Sequence, residues 1–208
     1  IETLYNRFVE TKLRLRLLDF DDLMLMFNLL LDSDPNYRER WSERFVHVLV
    51  DEYQDVNDLQ ASMIGQLSSY HGHLFAIGDD AQAIYGFRGA NVEHFRQFSA
   101  RFKNAEIRGL KTNFRSTSTI VNVAELLLTD DEMLLSRTVQ SSREVGAPVA
   151  LVGCSSKEAE ATFIAAEAHR LIGDGLCPSQ IAILVRLKSQ ASMLQNAFQR
   201  RKLPLATK

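Results

Sequence analysis

Asp51 and Glu52 stand side by side at the end of an apolar run, in VHVLVDEYQDVND over residues 46–58. A carboxylate at a strand end can hold Mg²⁺, usually through water, while its neighbour polarises a water attacking a nucleoside triphosphate. A bare Asp-Glu pair reads as a solvated acidic turn. Here the valine-rich run ahead of the pair, and Gln54 and Asp55 behind it, shift the reading toward chemistry. A glutamine can orient a phosphate-side water, and Asp55 can anchor a basic partner. A second apolar run enters a second acidic turn in LFAIGDDAQAIYGFRGA over 74–90, and LKTNFRST over 110–117 sets Arg115 just ahead of a helix.

The elements that must position these residues follow from periodicity. Leu13, Leu17, Phe20, Leu23, Phe27 and Leu30 recur at three- and four-residue steps, which predicts helix over 1–32, interrupted by the acidic DFDD at 19–22. Residues 33–36, with Pro35, read as a break. The continuous apolar run at 45–50 predicts a parallel strand covered on both faces. Asn57 and Gln60 form a capping-box pair opening a helix to about Leu67, and 74–77 is the next buried strand, ended by Gly78. Such a strand–helix–strand unit places both strands parallel through a right-handed crossover. Their carboxyl ends then share the edge where open α/β sheets bind ligands, with Asp51, Glu52, Asp79 and Asp80 on it.

The pattern restarts after Gly109. Ser116 or Thr117 can cap a helix to about Leu128, and 129–147 is polar and turn-rich. Strands are expected at 149–152 and 181–185. Between them a helix over 156–172 would close on Gly173 as its C′ glycine, and Ser189 would cap a last helix to about Arg201. A second α/β domain is therefore expected from about residue 110.

Bulk properties bound the class. The chain has 208 residues, 46% hydrophobic and 24% charged, as a globular protein with a real core would. A net charge of −2 and a pI near 6.2 argue against a freestanding basic nucleic-acid module, although a local groove can hide in the average. Cys154 and Cys177 show no CxxC or Cys/His spacing and suit reduced thiols of a cytoplasmic protein. No apolar run reaches the roughly 18 residues of a membrane span. The five histidines (47, 71, 73, 94 and 169) show no metal-ligand spacing. A start at Ile1 without Met, and an end at LPLATK, suggest a piece of a longer chain.

VDEYQD, GDDAQAIYGFRGA and LKTNFRS resemble the Walker B, third and fourth motifs of the UvrD/Rep/PcrA-like superfamily 1 DNA helicases. Two further stretches agree: LDFDDLM at 18–24, and IAILVRLKSQASMLQNAFQRRKLPL at 181–205. The resemblance covers nearly the whole chain. It implies an α/β fold of RecA-like parallel sheets flanked by helices, in parts of two motor domains. Residues 1–109 would be the C-terminal part of the first, with a helical lead-in over 1–32, and 110–208 the N-terminal part of the second.

The resemblance also implies roles. Asp51 would serve Mg²⁺ and Glu52 would be the general base. Gln82 would contact the γ-phosphate of ATP or its water, and Arg88 would link that phosphate to the DNA side of the motif. Arg115 would be an arginine finger from the second domain, and Phe114 would stack on the adenine. Tyr85 and Phe87 would offer aromatic faces to the bases of single-stranded DNA. Phe87 and Arg88 are consecutive, so one side chain could point to the DNA and the other to the nucleotide. The whole protein would then be an ATP-dependent, 3′-to-5′ translocating DNA helicase acting on single strands and duplex junctions.

Departures qualify this. Phe87 stands where many relatives carry Trp, Phe114 where many carry Tyr, and Gly86 replaces a basic residue. Phe at both aromatic places also occurs in helicase–nuclease subunits of the AddA/RecB type, which is one alternative. A non-catalytic relative that keeps the fold for DNA or protein binding is another. No GxxxxGK[ST] occurs in the 208 residues, so the backbone phosphate cradle is expected upstream of residue 1. These residues alone would then hydrolyse little or no ATP.

Overall fold

The computed structural model describes residues 2–128 and 139–206, and divides into two compact units, Ile1–Pro148 and Val149–Lys208. The first unit opens with α1 (Glu2–Leu15) and α2 (Phe20–Ser33), parted beside the acidic run where an interruption is expected. The acidic run is the reason. Asp19 caps α2 by accepting from the Asp22 backbone N–H at 2.9 Å, and Asp22 returns the bond to the Asp19 N–H. Lys12 ties the corner by donating to Asp19 and Asp22 at 2.7 Å each. Arg16 takes φ 53 to make the turn between the two helices.

Residues 33–36 are less a break than a restart. Pro35 opens α3 (Pro35–Arg44), with Asp34 accepting from the N–H groups of Asn36 and Tyr37. At a first helical position proline loses no hydrogen bond, because that N–H has no intrahelical partner anyway.

Next come β1 (Val48–Val50), α4 (Asp58–Leu67) and β2 (Leu74–Ala76). The two strands are parallel, pairing Val48 with Leu74, Leu49 with Phe75 and Val50 with Ala76. The expected capping box is present: Asn57 accepts from the Gln60 N–H, and the Gln60 side chain accepts from the Asn57 N–H. One face of the ribbon carries Val50 and Ala76 onto a core of Tyr53, Val56 and Ala61, joined by Ile64, Phe95 and Phe98. The alternate residues Leu49 and Phe75 stay 75% and 59% exposed, so the described residues leave that face uncovered. Short helices α5 (Glu93–Arg96) and α6 (Phe98–Arg101) supply the aromatic side of the core. Burial of the Tyr53 phenol in this core raises its pKa.

The first unit also holds β3 (Thr112–Thr117), α7 (Ser118–Leu128) and β4 (Gln140–Arg143). The strands are parallel, with a register shift between Asn113 and Thr117. Of the turn-rich stretch expected at 129–147, residues 129–138 lie outside the described residues, and 140–143 are strand rather than turn.

The second unit is built on α8 (Lys157–Gly173) and α9 (Lys188–Arg200). Ala161, Ala165 and Ala168 line one face of α8, and their small side chains admit Leu194 and Phe198 of α9 into a shared core. Burying large apolar side chains such as these last two contributes about 1.5–3 kcal/mol each. Gly173 is the last residue of α8, and the left-handed turn falls two residues later, at Gly175 with φ 99. The segments 149–152 and 181–185 form no ladder among the described residues, so the strands expected there are not seen. The N-terminus of α9 is held by Gln190, which accepts from the Leu187 N–H, rather than by Ser189. The α/β class, with parallel strand pairs flanked by helices, is the one the sequence predicts.

Candidate functional site

The parallel pairing of β1 and β2 fixes where both chains leave the sheet. The Ile77 N–H donates to the Val50 carbonyl and the Tyr53 N–H to the Ile77 carbonyl, both at 2.9 Å, so the two exits are stitched together. Between them the backbone reverses at Glu52, which takes φ 52 and ψ 46. A non-glycine residue in that left-handed region carries strain of roughly 1–2 kcal/mol. A short 3₁₀ turn over Tyr53–Asp55 follows.

The side chains at this exit form one connected set. Glu52 donates its backbone N–H to Asp51 Oδ1 at 3.0 Å. Gln54, 1% exposed, donates Nε2 to Glu52 Oε2 at 2.7 Å. Its Oε1 accepts the Asp79 backbone N–H at 3.0 Å. Asp79 Oδ2 in turn accepts from Gln82 Nε2 at 2.9 Å, and Asp79 Oδ1 accepts from the Ala81 N–H. Glu52 and Gln82, thirty residues apart in sequence, are thus joined through two intermediate residues. Both polar ends of the Gln54 amide are committed to protein partners. It bonds Glu52 and the Asp79 turn at once, leaving one N–H of the amide and one lone pair of its oxygen beyond these two bonds.

Asp80 departs from the expected edge. It is 6% exposed, with its carboxylate 3.7 Å from Arg96 Nε, so it faces inward while Asp51 stays exposed. Arg96 also pairs with Glu93 at 3.1 Å. Asp55 Oδ1 is buried and accepts no hydrogen bond among the described residues.

Arg88 and Phe87 do not point to opposite sides. The Arg88 guanidinium lies 5.1 Å from the Tyr85 ring and 5.4 Å from the Phe87 ring, and the two rings are 6.0 Å apart. The cause is the 3₁₀ turn over Gly86–Arg88, which aligns residues three apart and closes on Gly89 at φ 85. Phe87 is 80% exposed and Phe114 77% exposed, so neither ring is core.

Arg115 is exposed on β3, and its backbone is pinned on both sides. Asn113 Oδ1 accepts its N–H at 2.9 Å, and its carbonyl accepts from Arg143 Nη1 at 2.8 Å. Among the described residues, no hydrogen bond or ion pair joins Arg115 or Arg88 to the Glu52–Gln54–Asp79–Gln82 set.

Two clusters escape a reading by spacing alone. His47, His71 and His73 stack, with ring centroids 5.0 and 5.8 Å apart, and His71 and His73 bond to backbone carbonyls rather than to one another. Asp58, at the start of α4, bonds Asn91 at 3.0 Å and His94 at 2.7 Å, and these bonds, Asn91 first, hold its carboxyl below the usual range. Among the described residues, no group of three or more His, Cys, Asp or Glu could hold a metal by itself, and no helix is long and apolar enough to cross a membrane. Cys154 and Cys177 are both free thiols.

A model of the UvrD/REP helicase N-terminal domain matches residues 1–103, and one of the UvrD-like helicase C-terminal domain matches 109–208. DNA helicase II of Haemophilus influenzae is 33% identical over 201 residues, covering 97% of this chain and 28% of the relative. DNA helicase II of Escherichia coli is 32% identical over 203 residues, covering 98% of this chain and 28% of the relative. The ATP-dependent DNA helicase Rep of Buchnera aphidicola is 34% identical over 161 residues, 77% of this chain and 24% of the relative. The chain thus spans less than a third of the length of these relatives. Both halves matching models of one family, in the order that family carries them, the chain belongs to the UvrD-like helicases.

Proposed function

We propose that the protein containing this chain is an ATP-dependent DNA helicase of the cytoplasm, moving 3′ to 5′ along single-stranded DNA and opening duplex junctions. In this reading residues 1–109 belong to the first motor domain and 110–208 to the second. One observation carries it: the exits of β1 and β2 join a candidate base, Glu52, to a candidate phosphate-contacting residue, Gln82, in a single hydrogen-bonded set.

The donor set suits a magnesium nucleotide. Mg²⁺ is commonly held through one or two carboxylates with substrate phosphates and water completing its shell, and exposed Asp51, with no metal-binding cluster among the described residues, offers such a carboxylate. Bound there, Mg²⁺·ATP would supply the phosphoryl group whose hydrolysis drives movement. Glu52 would take the proton of the attacking water, and Gln82 would orient it. Arg115 would place positive charge against the phosphate, with Phe114 stacked on the adenine. Arg88, seated on the Tyr85 and Phe87 rings, would join the nucleotide side of the turn to the exposed aromatic face. Stacking of bases on such rings contributes about 1–3 kcal/mol per base without reading sequence.

The test is unwinding by the full-length protein of duplexes with a 3′ or a 5′ single-stranded tail, with ATP hydrolysis followed in parallel. ATP-dependent opening of the 3′-tailed duplex, with DNA-stimulated hydrolysis, is the expected result. Preference for the 5′ tail would overturn the polarity, and DNA binding with no hydrolysis would favour a non-catalytic relative.

A further inference from the structure

We propose that Gln54 is a positioning residue for ATP hydrolysis, holding the Glu52 carboxylate in its working orientation and fixing it to the turn that carries Gln82. This rests on the reading of Glu52 as the base. The geometry makes the side chain a two-ended brace. Its carbonyl oxygen faces the Asp79 backbone N–H, which can only donate, so the amide cannot be reversed without losing that bond. The amino end is thereby fixed on Glu52 Oε2 at 2.7 Å.

Three further features make the brace stiff. Gln54 is 1% exposed, so water does not compete for either bond. Gly78 leaves space for the amide, since a Cβ there would stand 2.6 Å from Gln54 Oε1. The 3₁₀ turn that carries Gln54 is itself tied to the β2 exit by the Tyr53 N–H bond to Ile77. Glu52, by contrast, sits on a left-handed backbone at the chain reversal, and Gln54 is the partner that bonds its carboxylate. A displaced base is costly: a misplacement of about 1 Å can reduce a rate roughly 10²-fold.

The experiment uses the full-length enzyme in two backgrounds. Gln54→Met keeps the volume and removes both hydrogen bonds. It is expected to lower kcat about 10- to 100-fold with KM for ATP within about twofold of the parent. In a Glu52→Gln background, where no base remains to be positioned, the same Gln54→Met change is expected to add no further loss. A purely structural role predicts the opposite, a multiplicative loss in both backgrounds, and that result overturns the proposal. So does a kcat for Gln54→Met within about twofold of wild type. If Glu52→Gln itself keeps normal kcat, the base reading fails and the proposal falls with it. If Glu52→Gln loses most of its turnover while Gln54→Met keeps a kcat within about twofold of wild type, only the proposal falls. Should Gln54→Met not fold, Gln54→Asn, one methylene too short to brace both partners, goes through the same comparison.

Discussion

Gly78 and Gln54 meet so closely that a Cβ built on residue 78 would stand 2.6 Å from Gln54 Oε1 and 2.7 Å from Phe95 Cε2. Phe95 is packed against the Tyr53, Val56 and Ala61 core and has little room to retreat. Gly78→Ala should therefore cost about 1–3 kcal/mol by overpacking and displace the amide from Glu52. A thermal melt and a kcat measurement on the full-length protein check both halves. An unchanged melt together with unchanged turnover would mean the loop yields freely.

Glu52→Gln removes the candidate base at nearly constant volume. Nucleotide binding should persist while kcat falls roughly 10²- to 10⁴-fold, the usual contribution of a positioned base. Near-normal turnover would place the base elsewhere.

Arg115→Ala should depress kcat far more than nucleotide affinity, because a finger's charge matters most in the transition state, where it can contribute roughly 10³–10⁵ in rate. The local fold should survive, since Asn113 and Arg143 hold the Arg115 backbone and not its side chain. A rise in KM with kcat unchanged would make Arg115 a simple binding residue.

Phe87→Ala should abolish unwinding and DNA-stimulated hydrolysis while basal nucleotide binding continues. At 80% exposure the ring belongs to no core, so the melting temperature should barely move. A large fall in melting temperature, with activity per folded molecule preserved, would reverse that assignment.

Asp58 gives a pH signature. Its folded-state pKa lies below the ordinary 3.8, chiefly through the Asn91 bond and then His94. A depressed carboxylate stabilises the fold above its unfolded value and loses that effect as pH falls through the folded one. The stability difference between wild type and Asp58→Asn should thus be full at neutral pH and fade below 3.8. A difference that persists undiminished in acid would trace the effect to packing.

The β1–α4–β2 unit was legible because each part carries a local signal: an apolar run, a capping pair at Asn57 and Gln60, and a second apolar run. Other elements gave misleading signals or none. Pro35 looks like a breaker, yet Asp34 makes it a helix start. QSSR at 140–143 has no apolar alternation, and its place comes from backbone pairing and the Ser141 hydroxyl bond to the Ser116 carbonyl. Conversely, 149–152 and 181–185 have strand-like composition, but a ladder needs a neighbour as well as a sequence. In the candidate site the residue types were readable and their wiring was not. The Gln54 bond to Asp79 spans 25 residues and depends on the register of two strands, which no spacing rule reports.

The left-handed backbone at Glu52 narrows what can ever stand there. Glycine, asparagine and aspartate tolerate that conformation best, while β-branched residues are excluded by their own side chains. Of the tolerated set only aspartate keeps an acid, and it is one methylene shorter than the reach spanned by the Gln54 bond. Backbone shape and side-chain length together leave this position almost no neutral substitutions. Replacement at Glu52 should be among the least forgiving in the chain, and a random-substitution screen for function would record it as a near-blank column.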